Sequence, residues 1–262
     1  MSTPQGDSQA AWRKARRKAL IDQRMAVDKE TLAGWNAAMD GHIERGFPGL
    51  FKRRQRHTGS PDAAQTGAPA PVAEPAVVAI CWPHRNEYDA REIARKLRDH
   101  DVIVSLPAVI SPLSALIFRE WHATAEMTQD RVGFPYPAAG QAVRPTVIFL
   151  PVVGFDLHGY RLGYGGGYFD RTIAELSTSG KKPVVIGVGY ELAKMDTIHP
   201  AAHDMPMDFV VTEAGIYRRQ PGTDQDAALE FIGAPPAGEA SALSSPVCYA
   251  NEIDPDYFGG KP

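Results

Sequence analysis

The segment Arg161-Leu-Gly-Tyr-Gly-Gly-Gly-Tyr-Phe-Asp170 concentrates the groups that handle anions. Glycines let backbone N–H groups approach a ligand with no Cβ in the way. The spacing predicts a turn between a strand and a helix, and the positive end of that helix favours negative charge. Arg161 adds a permanent cation whose fork matches phosphate oxygens. Asp170, in the first helical turn, is a candidate ligand for a metal ion bridging such phosphates. A second group of cations lies near the N-terminus. Residues 9 to 30 read as a basic helix, and at about 100° per residue Arg13, Arg17 and Arg24 fall on one face. Each feature has a plainer explanation. Tight strand-to-helix turns need glycines for steric reasons alone. Asp170 reads equally as an acid complementing a helix dipole, Arg161 as half of a surface ion pair, and the basic helix as a solvated face. The segment is neither a Gly-Lys-Ser/Thr phosphate loop nor a Gly-x-Gly-x-x-Gly fingerprint.

The elements that must position these residues show as apolar runs. Ala76–Trp82, Val102–Leu106, Val147–Leu150, Val184–Gly189 and Phe209–Val211 read as buried strands, with Leu116–Phe118 a further candidate. Helical spacing appears at Asp89–Leu97 and Tyr168–Leu176. Apolar strands alternating with helices predict an α/β fold: a mostly parallel, open, Rossmann-like sheet in a three-layer α/β/α arrangement. Ligands of such folds gather at the carboxyl ends of the strands. The loops after Trp82, Leu106, Leu150 and Gly189 are therefore expected to point at one site. Domain organisation is read as one α/β domain over 1–217, with a flexible Pro/Ala/Gly/Ser insertion at about 52–75 and a C-terminal extension over 218–262.

Bulk properties exclude several classes. The net charge of -3 over 262 residues gives no global reason for nucleic-acid binding. No apolar run approaches the roughly 20 residues that span a bilayer. The N-terminal residues lack the apolar core of a secretion signal, so the expected compartment is the cytoplasm. Two cysteines, Cys81 and Cys248, support neither a disulfide framework nor a thiolate zinc site.

The run Pro151-Val-Val-Gly-Phe-Asp156-Leu-His-Gly-Tyr-Arg161-Leu-Gly-Tyr-Gly-Gly-Gly-Tyr-Phe-Asp170-Arg171 closely resembles the signature of the 5-formyltetrahydrofolate cyclo-ligase family. Other parts agree in order. Arg13 and Arg17 resemble that family's Lys-x-x-x-Arg helix, with Arg24 a further match. Asn86-Glu87-Tyr-Asp89 resembles a Glu-containing turn after the first core strand, and His203-Asp204-Met-Pro-Met-Asp208 a late His-Asp motif. The resemblance covers about 9–215 apart from the insertion. It implies ATP-driven closure of the 5-formyl group of a reduced folate onto the neighbouring nitrogen, with Mg²⁺ as cofactor. By position, Arg13, Arg17, Arg161, Leu162, Gly163, Tyr164, Gly165, Gly166, Gly167 and Tyr168 would hold the ATP phosphates. Arg161 and Tyr168 would be catalytic, and Asp170 and Asp204 would sit near Mg²⁺. Glu87, Tyr136 and Tyr168 would meet the folate; His203 is read as a loop histidine making local hydrogen bonds. Two departures stand out. Arg13 replaces the lysine, and in Gly133-Phe-Pro-Tyr136-Pro137 a tyrosine stands where the family often has an acid. Tyr136 keeps open an ATP-dependent enzyme with a different acceptor. The basic helix and the C-terminal segment keep open a non-catalytic nucleotide- or partner-binding protein. A dinucleotide-dependent dehydrogenase fits less well, because no acid sits clearly at the end of the next strand to hold a ribose.

Overall fold

A computed structural model describes residues 6–52, 76–220 and 227–233. The chain opens with two helices, α1 (Gly6–Met25) and α2 (Lys29–Gly46). Asp28 ends the break between them by capping α2, its carboxylate accepting from the Thr31 N–H at 2.8 Å. The helix expected over 9–30 is thus two helices divided at Asp28, and α2 carries no motif that would have announced it.

The central sheet has eight strands. In chain order these are β1 (Val77–Ala79), β2 (Ile103–Ala108), β3 (Ile117–Glu120), β6 (Val147–Pro151), β9 (Val184–Val188), β11 (Phe209–Thr212), β12 (Gly215–Arg219) and β13 (Leu229–Gly233). Their spatial order is β13-β12-β11-β9-β6-β1-β2-β3. The five strands from β11 to β2 are mutually parallel, whereas β3, β12 and β13 pair antiparallel at the edges. Five parallel strands bear out the expected open α/β sheet. Both faces of each inner strand are covered, which is why the runs are continuously apolar. Along β6, Val147 and Phe149 pack with α2 and with α3 (Arg91–Arg98), while Ile148 and Leu150 pack on the other face with Ile173 of α4 (Tyr168–Thr178).

Position 217, the expected domain boundary, falls inside β12, and Leu229–Gly233 pairs beside it. The sheet therefore extends past that boundary: Tyr217 and Leu229 are buried with the core and need these strands to cover them. The insertion proposed at 52–75 lies outside the described residues apart from Lys52, as does most of the C-terminal segment.

Two smaller sheets were not legible in the sequence. β4 (Met127–Gln129) and β5 (Pro135–Pro137) form a hairpin. β7 (Gly154–Asp156), β8 (Arg161–Leu162) and β10 (Lys194–Met195) form a three-stranded sheet in the order β10-β7-β8. Buried Asp156 staples it, accepting backbone N–H bonds from His158, Tyr160 and Ile198 at 3.0–3.1 Å. α1 lies on this small sheet. Leu20 and Ile21 pack against Val153, Leu162, Met195 and Ile198, each contributing on the order of 2 kcal/mol by its burial. That packing turns the basic face of α1 toward the carboxyl ends of β1 and β6.

A candidate nucleotide and acceptor site

Between β1 and β6 the strand order reverses, since the chain runs outward from β1 to β2 and β3 and then returns to β6. Such a switch point opens a crevice at the strand ends. A cavity of about 250 Å³ lies there. Cys81 and Trp82 after β1, Pro107 and Val109 at the end of β2, and Leu150 and Pro151 of β6 form its floor. The loop after β9 is not part of the wall, contrary to expectation. Tyr190 there is buried, its hydroxyl donating to Asn36 of α2 at 2.9 Å.

One end of the cavity is basic. Arg13, Arg17, Arg161 and the glycine loop 163–167 line it together with Asp170, His203 and Asp204. The loop follows β8 rather than a strand of the parallel sheet, and it leads into α4. Gly165 (φ 97°) and Gly167 (φ 61°) occupy left-handed backbone that a side chain would strain. Gly167 occupies the N-cap position of α4 without a side-chain cap, which leaves the helix's first N–H groups available to an anion. Arg17 Nε donates to the Gly163 carbonyl at 2.6 Å, bringing its guanidinium over the loop. Burial lowers the pKa of Arg17, and the neighbouring Arg13 charge lowers it further. Two cations crowded this way are relieved by an incoming polyanion. Arg13 pairs with Asp204 at 2.6 Å and donates to the His199 carbonyl at 2.7 Å; among the described residues its buried Nε has no hydrogen-bond partner.

Arg161 is almost fully buried. It donates to Asp170 Oδ1 and to the Met205 carbonyl, both at 2.7 Å. Burial lowers its pKa, opposed by the charges of Asp170 and Asp204, and an arginine so paired stays charged. The surface ion pair considered for Arg161 is therefore a buried one. Asp170 Oδ1 also accepts the Met205 N–H, and Asp204 Oδ2 also accepts the Ala201 N–H. Among the described residues, the second oxygen of each carboxylate accepts no hydrogen bond. No cluster of three or more His, Cys, Asp or Glu able to hold a metal by itself occurs there. His203 is largely exposed at the rim, 3.9 Å from Asp204 Oδ1.

The other end is largely apolar and holds two acids, Glu87 and Asp130, the latter accepting the Val109, Val132 and Phe134 N–H groups. Glu87 is buried beside Trp82, accepting the His84 N–H at 3.0 Å and the Tyr164 hydroxyl at 2.7 Å. Burial raises its pKa above the ordinary glutamate value, opposed by the Tyr164 bond, the Arg24 charge and the His84 N–H. Leu116, Val132, Phe134 and Pro135 complete the apolar wall, and Tyr168 lines the cavity from the first turn of α4. Tyr136 does not reach the cavity. Neighbouring strand residues face opposite ways, so with Pro135 at the wall Tyr136 turns to the other side. There it packs on the main core beneath Arg119, whose guanidinium carbon is 5.3 Å from the ring centroid. Phe134 and Pro135 hold the place assigned to Tyr136. Every other predicted site residue lines this one cavity: Arg13, Arg17, Glu87, Arg161 to Tyr168, Asp170 and Asp204.

Comparison with known proteins places the chain in a family and a fold. A family model described as the 5-formyltetrahydrofolate cyclo-ligase family matches residues 10–213. The 5-formyltetrahydrofolate cyclo-ligase of Escherichia coli strain K12 is 27% identical over 175 residues, covering 64% of this chain and 94% of that protein. The enzyme of the same name from Haemophilus influenzae is 27% identical over 137 residues, covering 50% of this chain and 72% of its own length. Among solved structures, the NMR structure of 5,10-methenyltetrahydrofolate synthetase from Aquifex aeolicus superposes with a TM-score of 0.59. It is 23% identical and covers 80% of this chain and 94% of its own. The Mycoplasma pneumoniae synthetase gives a TM-score of 0.54 at 20% identity, covering 77% and 98%. At these identities the two structures speak for the fold.

Proposed function

Because the chain belongs to the 5-formyltetrahydrofolate cyclo-ligase family, we propose that it converts 5-formyltetrahydrofolate to 5,10-methenyltetrahydrofolate, driven by ATP with Mg²⁺. The observation that carries this reading is one cavity with a basic end and a largely apolar end that holds Glu87. A nucleotide triphosphate and a flat heterocycle need those two environments side by side.

The chemistry requires activation of a poor leaving group. The formyl oxygen attacks the terminal phosphorus, and ADP leaves. The neighbouring folate nitrogen then attacks the formyl carbon, the C–O bond breaks, and inorganic phosphate departs with the proton that nitrogen gives up. The protein's part is positioning and charge stabilisation. Arg17, Arg13, the loop N–H groups and the start of α4 bind the phosphates. Arg161, fixed by Asp170 and the Met205 carbonyl, presents a charge that needs no rearrangement as the phosphoryl group moves, an effect on the order of 3 kcal/mol per contact. Asp170 and Asp204 suit Mg²⁺, which takes one or two protein carboxylates beside substrate phosphates, because each offers a second oxygen. Bound there, the ion would neutralise charge developing on the phosphate oxygens. Glu87 contacts the polar edge of the heterocycle, while Tyr168 and Phe134 flank its faces. Tyr136, the reason to consider a different acceptor, lies outside the cavity and does not argue for one.

The test is incubation of the purified protein with 5-formyltetrahydrofolate, ATP and Mg²⁺. A rising methenyl absorbance, abolished in Asp170→Ala, is the expected result. No rise at high enzyme concentration rejects the reading.

A further inference from the structure

Arg24 is 4% exposed, yet it meets both ends of the cavity wall. Its Nη2 donates to the Tyr164 hydroxyl of the glycine loop at 2.9 Å and stands 3.6 Å from a Glu87 carboxylate oxygen. Tyr164 closes the triangle by donating to Glu87. Arg24 Nε donates to the Arg85 carbonyl at 2.9 Å, and Nη1 reaches the Val152 carbonyl at 3.4 Å. In return the Arg24 carbonyl accepts from Asn86 Nδ2 at 3.4 Å. The turn so gripped is strained. Arg85 (φ 50°) and Asn86 (φ 57°) are consecutive non-glycine residues in left-handed backbone, immediately before Glu87. Such residues are unfavourable and persist only where their surroundings over-determine them.

We infer that Arg24 is a positioning residue for the acceptor: it holds the strained Arg85–Glu87 turn closed and, through Tyr164, couples the setting of Glu87 to the loop that takes the phosphates. This rests on the proposed reading, in which Glu87 contacts the folate. One helix then serves both substrates. Arg13 and Arg17 reach the phosphate end, and Arg24, two turns further along, sets the acceptor end. The wall contacts alone would be served by the Arg85 and Val152 carbonyls. The additional bond to Tyr164, beside Glu87, is what ties the two ends together.

The groups facing Glu87 are Arg24 of α1, Tyr164 of the glycine loop, the His84 N–H of its own turn, the Cys81 thiol after β1 and the Tyr190 hydroxyl after β9. Arg24 and Tyr164 oppose the upward push of burial on the Glu87 pKa. Removing either leaves the proton more tightly held, so any acid limb set by Glu87 moves to higher pH. Weaker folding alone would not produce that displacement.

The test compares Arg24→Met, Arg24→Lys and Tyr164→Phe with wild type in the full chain. Folate affinity is followed by fluorescence of Trp82 in the cavity wall, using 5-formyltetrahydrofolate as ligand. Nucleotide affinity is followed by calorimetry with a non-hydrolysable ATP analogue, and the 84–88 amides by hydrogen exchange. Arg24→Met should weaken folate binding about tenfold, the worth of one hydrogen bond to a charged group, with nucleotide affinity within about twofold of wild type. The 84–88 amides should exchange faster, and Arg24→Lys should recover part of both losses. Tyr164→Phe, at a half-exposed side chain, should move the acid limb upward, and it carries the test if Arg24→Met does not fold. Equal loss of both ligands, unchanged folate affinity, or unchanged exchange at 84–88 overturns the inference. A wild type that binds the folate without turning it over defeats the functional reading instead, and leaves the binding and exchange comparisons to judge Arg24.

Discussion

Arg17→Met should separate binding from stability. Among the described residues Arg17 makes one hydrogen bond, to the Gly163 carbonyl, and its removal leaves no buried carboxylate unpaired there. Losing that bond costs about 1 kcal/mol. Against this, the substitution removes a charge that both burial and Arg13 disfavour. The two effects oppose each other, so stability should stay within about 1 kcal/mol of wild type, a shift in Tm of no more than about 4 °C for a domain of this size. Nucleotide binding should respond very differently. A charge-assisted hydrogen bond to phosphate is worth about 1.5–3 kcal/mol, so affinity should fall roughly ten- to a hundredfold. Calorimetric titration with a non-hydrolysable ATP analogue and Mg²⁺, beside thermal unfolding of the free protein, measures both. The loss should shrink at high ionic strength, because the lost interaction is electrostatic. A variant that binds the analogue as tightly as wild type, or that unfolds well below it, would refute the reasoning.

Arg161→Met should behave in the opposite way. It strands Asp170 without its buried cation, so unfolding should become easier by about 3–5 kcal/mol, and turnover should be lost even where the variant still folds, as denaturant unfolding and the methenyl assay would show. Gly165→Ala puts a Cβ at φ 97°, 3.3 Å from Arg17 Nη2, so it should weaken nucleotide binding at a stability cost of about 1 kcal/mol or more, read by the same titration and melt. Tyr136→Phe should leave the KM for 5-formyltetrahydrofolate unchanged, whereas Phe134→Ala should raise it several-fold. The reverse pattern in steady-state kinetics would return Tyr136 to the acceptor pocket.

Much of this molecule is written locally. The runs 77–80, 147–150 and 184–188 are apolar at every position because each strand is buried on both faces, and that alone predicts a parallel sheet between helices. The spacing of Arg13, Arg17 and Arg24 predicts one face, because helical geometry fixes side-chain direction within a single element. The glycine loop and its following helix predict an anion site for the same local reason. The tertiary structure decided everything that depends on pairing between distant segments. The antiparallel strands Gly215–Arg219 and Leu229–Gly233 become legible only when a sheet edge is there to receive them. Whether Pro135 or Tyr136 meets the cavity turns on strand parity, and a hairpin with aromatic and proline residues at successive positions does not reveal it in sequence. Above all, the basic face of the first helix could have been solvated. Packing of Leu20 and Ile21 on the small sheet is what aims Arg13 and Arg17 at the phosphate end and Arg24 at Glu87. Residue types can specify the charges, but the point where they converge depends on contacts more than 60 residues apart along the chain.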